Sequence, residues 1–159
     1  MNLRTKEIAL IAVYAALYAV LVNAISGLSF GPLNLRVADA MVGAVPLLGI
    51  AGVLGHTLGV FLGNIPSPLG IIDLLNTIPS FAMAFVICYV YKRTKNDYSV
   101  LVTSIAYSAV LGTTVGWMLS APFNIPLPFS ILYVFAGNLV VTTVVGWPLF
   151  KLLKKVGIQ

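Results

Sequence analysis

The chain has 159 residues, 60% of them hydrophobic and 8% charged, with a mean hydropathy of +1.04. Soluble domains carry about 25% charged residues, so this chain has too little polar surface to cover a water-soluble globule. A spanning helix and its connection take roughly 25 residues, which leaves room for about six spans and no extramembrane domain. A soluble enzyme, a nucleic-acid-binding module and a long-tailed receptor are excluded, and the net charge of +5 has to be read from its distribution.

Arg4 and Lys6 open the chain and are followed by an uncharged apolar run from Ile8 to Ile25. No small-residue cleavage site follows, so the run reads as an uncleaved first helix rather than a signal peptide. Ala12 and Ala16, overlapped by Ala15 and Ala19, give it small-xxx-small faces of the kind that pack membrane helices. Two more basic clusters follow: Lys92, Arg93 and Lys95, then Lys151, Lys154 and Lys155. Lysine and arginine in short flanking loops stay cytoplasmic, so an even number of spans separates any two clusters. One span lies before residue 26, and the stretch from Val37 to Tyr91 must therefore hold an odd number. Three fit: Val37 to about Leu48, short and interrupted by Pro46; Gly49 to about Gly63; and Gly70 to Tyr91, kinked by Pro79. From Tyr98 to Phe150 there is no charged residue, and a break at Ser120–Pro128 gives two more. The expected fold is a single all-α integral membrane domain over residues 1–159. It has six transmembrane helices, both termini cytoplasmic, and short, irregular second and third helices.

A carboxylate at the bilayer centre costs about 2.5 to 3.5 kcal/mol, so charges outside the basic clusters call for partners. Arg36 and Asp39 are three apart and can pair at the start of the second helix, or can reach a ligand under the first outer loop. Asp73, Asn76, Thr77 and Ser80 stand at i, i+3, i+4 and i+7 on one helical face. That stripe reads as a cavity-facing wall; the bland alternative is that Asp73 caps the helix and the others bond back to carbonyls. Thr103, Tyr107, Thr114 and Trp117 share a face more loosely, and Trp117 is either an interface anchor or a stacking wall. Asn138 has both donor and acceptor capacity at depth and either joins helices or reads a ligand. Gly55, Gly59 and Gly63 recur every four residues and allow close helix approach. His56, the one histidine, stands among them, as a residue bonded to a neighbouring helix or as a proton relay. Cys88 is alone, so no internal disulfide or paired metal motif exists, and no cofactor is expected. No nucleotide-binding loop or hydrolase motif is present; the chain is not an enzyme, and energy for transport has to come from a partner or an ion gradient.

These residues carry a resemblance. Phe30-Gly-Pro-Leu-Asn-Leu-Arg-Val-Ala-Asp-Ala40 is similar to the F-G-P-x-Q-x-R-x-S-E-A signature of the queuosine-precursor transporter family, QueT. Leu69-Gly-Ile-Ile-Asp73 and Gly146-Trp-Pro-Leu149 resemble that family's L-G-I-x-D and G-x-P-L stretches, and the likeness runs over almost the whole chain. It implies a substrate-capturing S-component of an energy-coupling-factor (ECF) importer, taking a small planar solute from outside under the first loop. It also implies docking through Ala12 and Ala16 on a transmembrane coupling subunit shared with two ATPases, within the lipid membrane and with no nucleic acid involved. Asn34 stands where the family often has glutamine, Asp39 where it has glutamate, and Asn138 where a glutamate is expected. A 7-deazaguanine presents a ring N–H beside an exocyclic amine, which a carboxylate accepts in a bidentate way; that task would pass to Asp73 or Asp39. The expected substrate site is Asn34, Arg36, Asp39, Asp73, Asn76, Trp117 and Asn138. The rival readings are a solitary ion-coupled transporter using Asp39, Asp73 and His56, and an assembly protein whose polar stripes bind other helices.

Overall fold

The computed structural model describes residues 4–31 and 34–157, so Pro32 and Leu33 of the signature segment lie outside the described residues. Most of those described are helical, with no strand among them. Six helical segments carry the fold: α1 Thr5–Ala24, α2 Val37–Leu48, α3 Ile50–Asn64, α4 Ile71–Thr94, α5 Asp97–Ser120 and α6 Leu127–Lys155. Four of them, α1, α4, α5 and α6, are long and apolar enough to cross a membrane, while α2 and α3 are shorter apolar helices. Neighbours close a ring in the order α1–α3–α4–α5–α6–α2 and back to α1. Large apolar side chains stand around its outside, among them Val20, Ile78, Val102 and Val144 at 63 to 68% exposure. An apolar belt of this extent belongs in lipid.

Glycine makes the ring tight. The expected glycine face of α3 meets α1 along one line: Gly55 lies under Tyr14, Gly59 under Tyr18 and Gly63 under Val22. A Cβ on Gly59 would stand 2.7 Å from that of Tyr18, so the two helices approach as they do because this side chain is missing. Ala15 is buried and Ala19 half-buried on the same side, whereas Ala12 and Ala16 are exposed. Between α5 and α6, Gly112 admits Phe135 and Gly116 admits Ile131 in the same manner.

Three segments depart from regular α-helix. Residues Val37–Ala44 of α2 wind as a 3-10 helix before a last α-turn, Val45–Leu48. Gly49 then reverses the chain at φ +64°, a left-handed backbone that glycine adopts without steric cost. The tighter winding rises about 2.0 Å per residue against 1.5 Å in an α-helix, so α2 reaches further than its length suggests. Gly43 faces the backbone of Gly146 on α6, where residues Val141–Gly146 open into a π-helix ahead of Pro148. In α4 the ladder breaks at Asn76, between Ile71–Leu75 and Thr77–Thr94. Pro79 has no N–H for the carbonyl of Leu75 and its ring collides with it, so the expected kink falls a turn before the proline.

All three basic clusters gather at one end of the ring. Asp97, at the start of α5, pairs with Lys151 at 2.8 Å and Lys154 at 2.5 Å. Lys92, Lys95 and Lys154 line one cleft with Tyr91, and Glu7 of α1 shares a groove with Leu153 and Gly157. The end of α1, the start of α2, the end of α3 and the start of α4 meet at the opposite end.

Candidate functional site

That opposite end holds a buried polar cluster in an otherwise apolar chain. Arg36, the residue before α2, is 2% exposed; Asp39 and Asp73 are each 1% exposed. One terminal nitrogen of Arg36 donates to both carboxylate oxygens of Asp73, at 2.9 and 3.0 Å. Its Nε points at the carbonyl of Ser29, and the guanidinium lies 5.6 Å over the Phe30 ring. The pairing of Arg36 with Asp39, one of the two readings of these residues, is therefore not formed. Arg36 is extended at φ −93°, ψ 95°, and its side chain leaves the turn that Asp39 occupies to cross to α4. Asp73 does not cap its helix either; Gly70 occupies the cap position, with no side-chain cap bond. A buried carboxylate and a buried guanidinium each cost several kcal/mol to desolvate alone, and their pairing ties the loop before α2 to the entry of α4.

Amides surround the pair. Asn64, the last residue of α3, donates Nδ2 to the backbone carbonyl of Asp73 at 2.9 Å. Asn76 follows at the break in α4, and one turn on Ser80 bonds back to the Asn76 carbonyl. Of the stripe, Asp73, Asn76 and Ser80 are buried and Thr77 is half-buried, while Leu75 and Ile78 face outward; the bond of Ser80 back to a carbonyl is the one the alternative reading gave. Asn34 adopts φ +43° in the loop and is buried. Asn138 of α6 is buried one turn before Thr142, whose hydroxyl meets Ser108 next to Tyr107. Among the described residues, Asn34 Nδ2, Asn64 Oδ1, Asn76 Oδ1, Asn138 Oδ1, Ser29 Oγ and Thr77 Oγ1 are buried with no hydrogen-bond partner. Buried polar atoms are nearly always paired. Most of these unpartnered atoms belong to residues near the Arg36–Asp73 pair in sequence or by contact.

A second network adjoins the first. Tyr18 donates to Asp39 Oδ1 at 2.6 Å, and Tyr107 reaches the same oxygen at 3.3 Å. Tyr107 also lies 3.1 Å from His56 Nε2, and Tyr14 lies 3.2 Å from His56 Nδ1 while donating to the Met41 carbonyl at 2.6 Å. His56 is thus held by α1 and α5 at once. Sequence reading missed this role of Tyr14 and Tyr18; the available signal was their spacing of four, matched to Gly55 and Gly59. It also missed Asn64, whose signal was an amide closing an apolar helix.

Trp117 stands apart from the cluster, and Asn138 is buried on α6 with no contact to the Arg36–Asp73 pair among those described. Trp117 is 65% exposed, because the buried face of α5 runs through Ser104, Tyr107, Leu111 and Val115. Ten residues beyond Tyr107, at 100° per residue, Trp117 comes out about 80° away around the helix. The stacking wall is therefore not formed by this residue, which sits on the outer surface as an interface anchor would. Phe30 is the aromatic side chain against the Arg36 guanidinium. With Asn23, Ser26, Gly27, Pro66 and Pro68 it lines a cleft of 470 Å³ that opens between the first loop and the α3–α4 turn.

No curated protein and no solved structure shows a match to this chain. The model of the QueT transporter family matches residues 8–155. With nearly its whole length inside that match and an apolar belt around its helices, the chain belongs to the QueT transporter family and is a multi-pass membrane protein.

Proposed function

We propose that this chain is the solute-capturing S-component of an ECF-type importer for a queuosine precursor, a small planar 7-deazaguanine-like molecule. The observation that carries the reading is the buried Arg36–Asp73 pair ringed by unpartnered amides at the end opposite the basic clusters. On the positive-inside rule that end faces outside, with six crossings and both termini in the cytoplasm. Solute enters past Phe30 through the cleft under the first loop and meets Asn34, Asn76, Asn138 and Asp39, while Asp73 holds Arg36 in place. The amides read the edge of the heterocycle, which offers donors and acceptors in its own plane. Without a nucleotide-binding loop the chain does no ATP chemistry of its own. ATP-driven movement comes through a transmembrane coupling subunit and its two ATPases, docked on the exposed Ala12–Ala16 face of α1.

The test is a titration of the purified protein with 7-deazaguanines, together with mass spectrometry of any solute that co-purifies. The wild type binds, and Asn138→Ala lowers the affinity at least tenfold; unchanged affinity in that variant removes Asn138 from the site. The second reading is a solitary ion-coupled transporter, favoured by the Asp39–Tyr107–His56–Tyr14 chain of contacts. Uptake into liposomes by this chain alone, driven by a pH gradient, would establish that reading in place of the first.

A further inference from the structure

Going beyond the solute site, and whichever solute that site takes, we propose that the basic end of the ring holds the phosphate headgroup of an anionic phospholipid. The cleft at that end has a volume of 320 Å³ and is lined by Pro46 and Leu47 of α2, Tyr91, Lys92 and Lys95 of α4, and Lys154 of α6. Ligand pockets run from about 300 to 1,000 Å³, so it suits a headgroup rather than a large solute. Three lysines from two helices line it over an apolar floor, and among the described residues no carboxylate does. Asp97 is outweighed by Lys151 and Lys154, which both bond it. Lys92 and Lys95 make no salt bridge among the described residues.

The positive-inside rule asks only that basic residues lie at this end. It does not ask that they converge, and Arg93, Lys151 and Lys155 stay out of the cleft. The convergence has local causes. Lys92 and Lys95 are three apart and share a face of α4. Lys95 closes that helix at φ +53°, its N–H on the Tyr91 carbonyl at 2.8 Å, a left-handed position where glycine or asparagine is usual. Lys92 crosses to the α2–α3 turn, where Gly49 leaves room for its ammonium: a Cβ there would lie 3.1 Å from Nζ.

Depth and the neighbouring surface select the ligand. Tyr98 and Trp147 stack at this end, 6.1 Å between centroids, and Tyr89 is exposed about one turn before Lys92. Aromatic side chains so placed mark headgroup level, where basic pockets between membrane helices suit lipid headgroups. Leu47 is also a wall of the 540 Å³ groove that Leu10, Val13, Leu17, Met41 and Leu153 line, and Leu10, Val13 and Leu17 are exposed toward lipid. Glu7 of that groove accepts from the Arg4 N–H. A free phosphate has no use for an apolar groove. A phospholipid sets its phosphate among the lysines, with charge-assisted hydrogen bonds, and lays an acyl chain past Leu47.

The full chain in detergent is titrated with dioleoyl phosphatidylglycerol, which is anionic, and with dioleoyl phosphatidylcholine, which carries the same phosphate but no net charge. Bound lipid is counted by native mass spectrometry. The wild type holds one phosphatidylglycerol at least tenfold more tightly than phosphatidylcholine, and a tenfold excess of inorganic phosphate does not displace it. Lys92→Gln with Lys95→Gln brings the ratio of the two lipid affinities to within threefold. Arg93→Gln with Lys155→Gln removes the same charge from the same end and leaves the ratio at tenfold or more. The ratio is read within one protein, so a general loss of affinity does not imitate the result. A wild-type ratio within threefold overturns the proposal. So does an equal fall in both double variants, the mark of a diffuse basic surface. Displacement by inorganic phosphate assigns the cleft to a free anion and overturns the lipid assignment. The titration contains no deazaguanine, so failure of the solute reading leaves its outcome unchanged.

Discussion

Arg36 and Asp73 are 37 positions apart, and each would be intolerable without the other in an apolar surround. Removing one partner of a buried ion pair typically costs about 3–5 kcal/mol, whereas replacing both with apolar residues of similar volume is often close to neutral. Asp73→Ala should therefore lower the thermal stability of the detergent-purified protein by that amount, and Arg36→Met/Asp73→Leu should recover most of it. If Asp73→Ala unfolds at the wild-type temperature, Asp73 does not hold Arg36. Binding losses in Asp73 variants therefore have to be separated from unfolding, and Asn138, which orphans no charge when truncated, is the cleaner probe of recognition. At this scale the sequence is legible for which residues are out of place and blind to their partners. Three charges outside the basic clusters stand out at once in so apolar a chain. That Arg36 crosses to Asp73 instead of bonding Asp39 depends on the extended backbone at residue 36 and on where α4 begins, both tertiary facts. Trp117 misled because a face spanning fourteen residues drifts around the helix.

Among the elements, α1 and α3 fit by a strict register: three large residues every four positions on one helix, three glycines every four on the other. The register grades the cost of filling each glycine. A methyl group on Gly59 meets Tyr18 Cβ at 2.7 Å, a contact that has to be relieved by moving a helix, whereas one on Gly63 meets Val22 at 3.4 Å, an ordinary contact. Gly59→Ala should destabilise by about 1–3 kcal/mol, as overpacking does, and by more than Gly63→Ala when melting temperatures of the two variants are compared. Because Tyr18 also bonds Asp39, Gly59→Ala should weaken solute binding as well. The breaks at Gly49, at residues 65–68 and at Ser120–Pro128 are legible, since glycine and proline act locally. The 3-10 winding of α2 and the π segment of α6 are not legible, because they arise where Gly43 and Gly146 let two backbones touch.

For the whole molecule, the question is whether α2 and α3 cross the membrane or dip in and return. Twelve residues of ideal α-helix span about 18 Å, well short of the roughly 30 Å apolar core. With eight residues wound as a 3-10 helix, α2 gains about 4 Å. The turn it reaches is informative: a Cβ on Gly49 would lie 3.1 Å from Lys92 Nζ. The α2–α3 turn therefore sits at the end where all three basic clusters gather, and Arg36, at the other end of α2, sits with the buried cluster. If this helix pair, which touches both ends of the ring, crosses with it, the bilayer thins locally around the short segments. Single cysteines test this in a Cys88→Ser background. Ser26→Cys and Ala121→Cys should react with an impermeant thiol reagent added outside intact cells. Leu48→Cys, Thr94→Cys and Val156→Cys should react only after the membrane is opened. Labels at residues 26 and 94 come out the same for four crossings as for six, so Leu48→Cys decides. Reaction of that cysteine from outside would make α2 and α3 a re-entrant hairpin and place the basic end of their turn away from the cytoplasm.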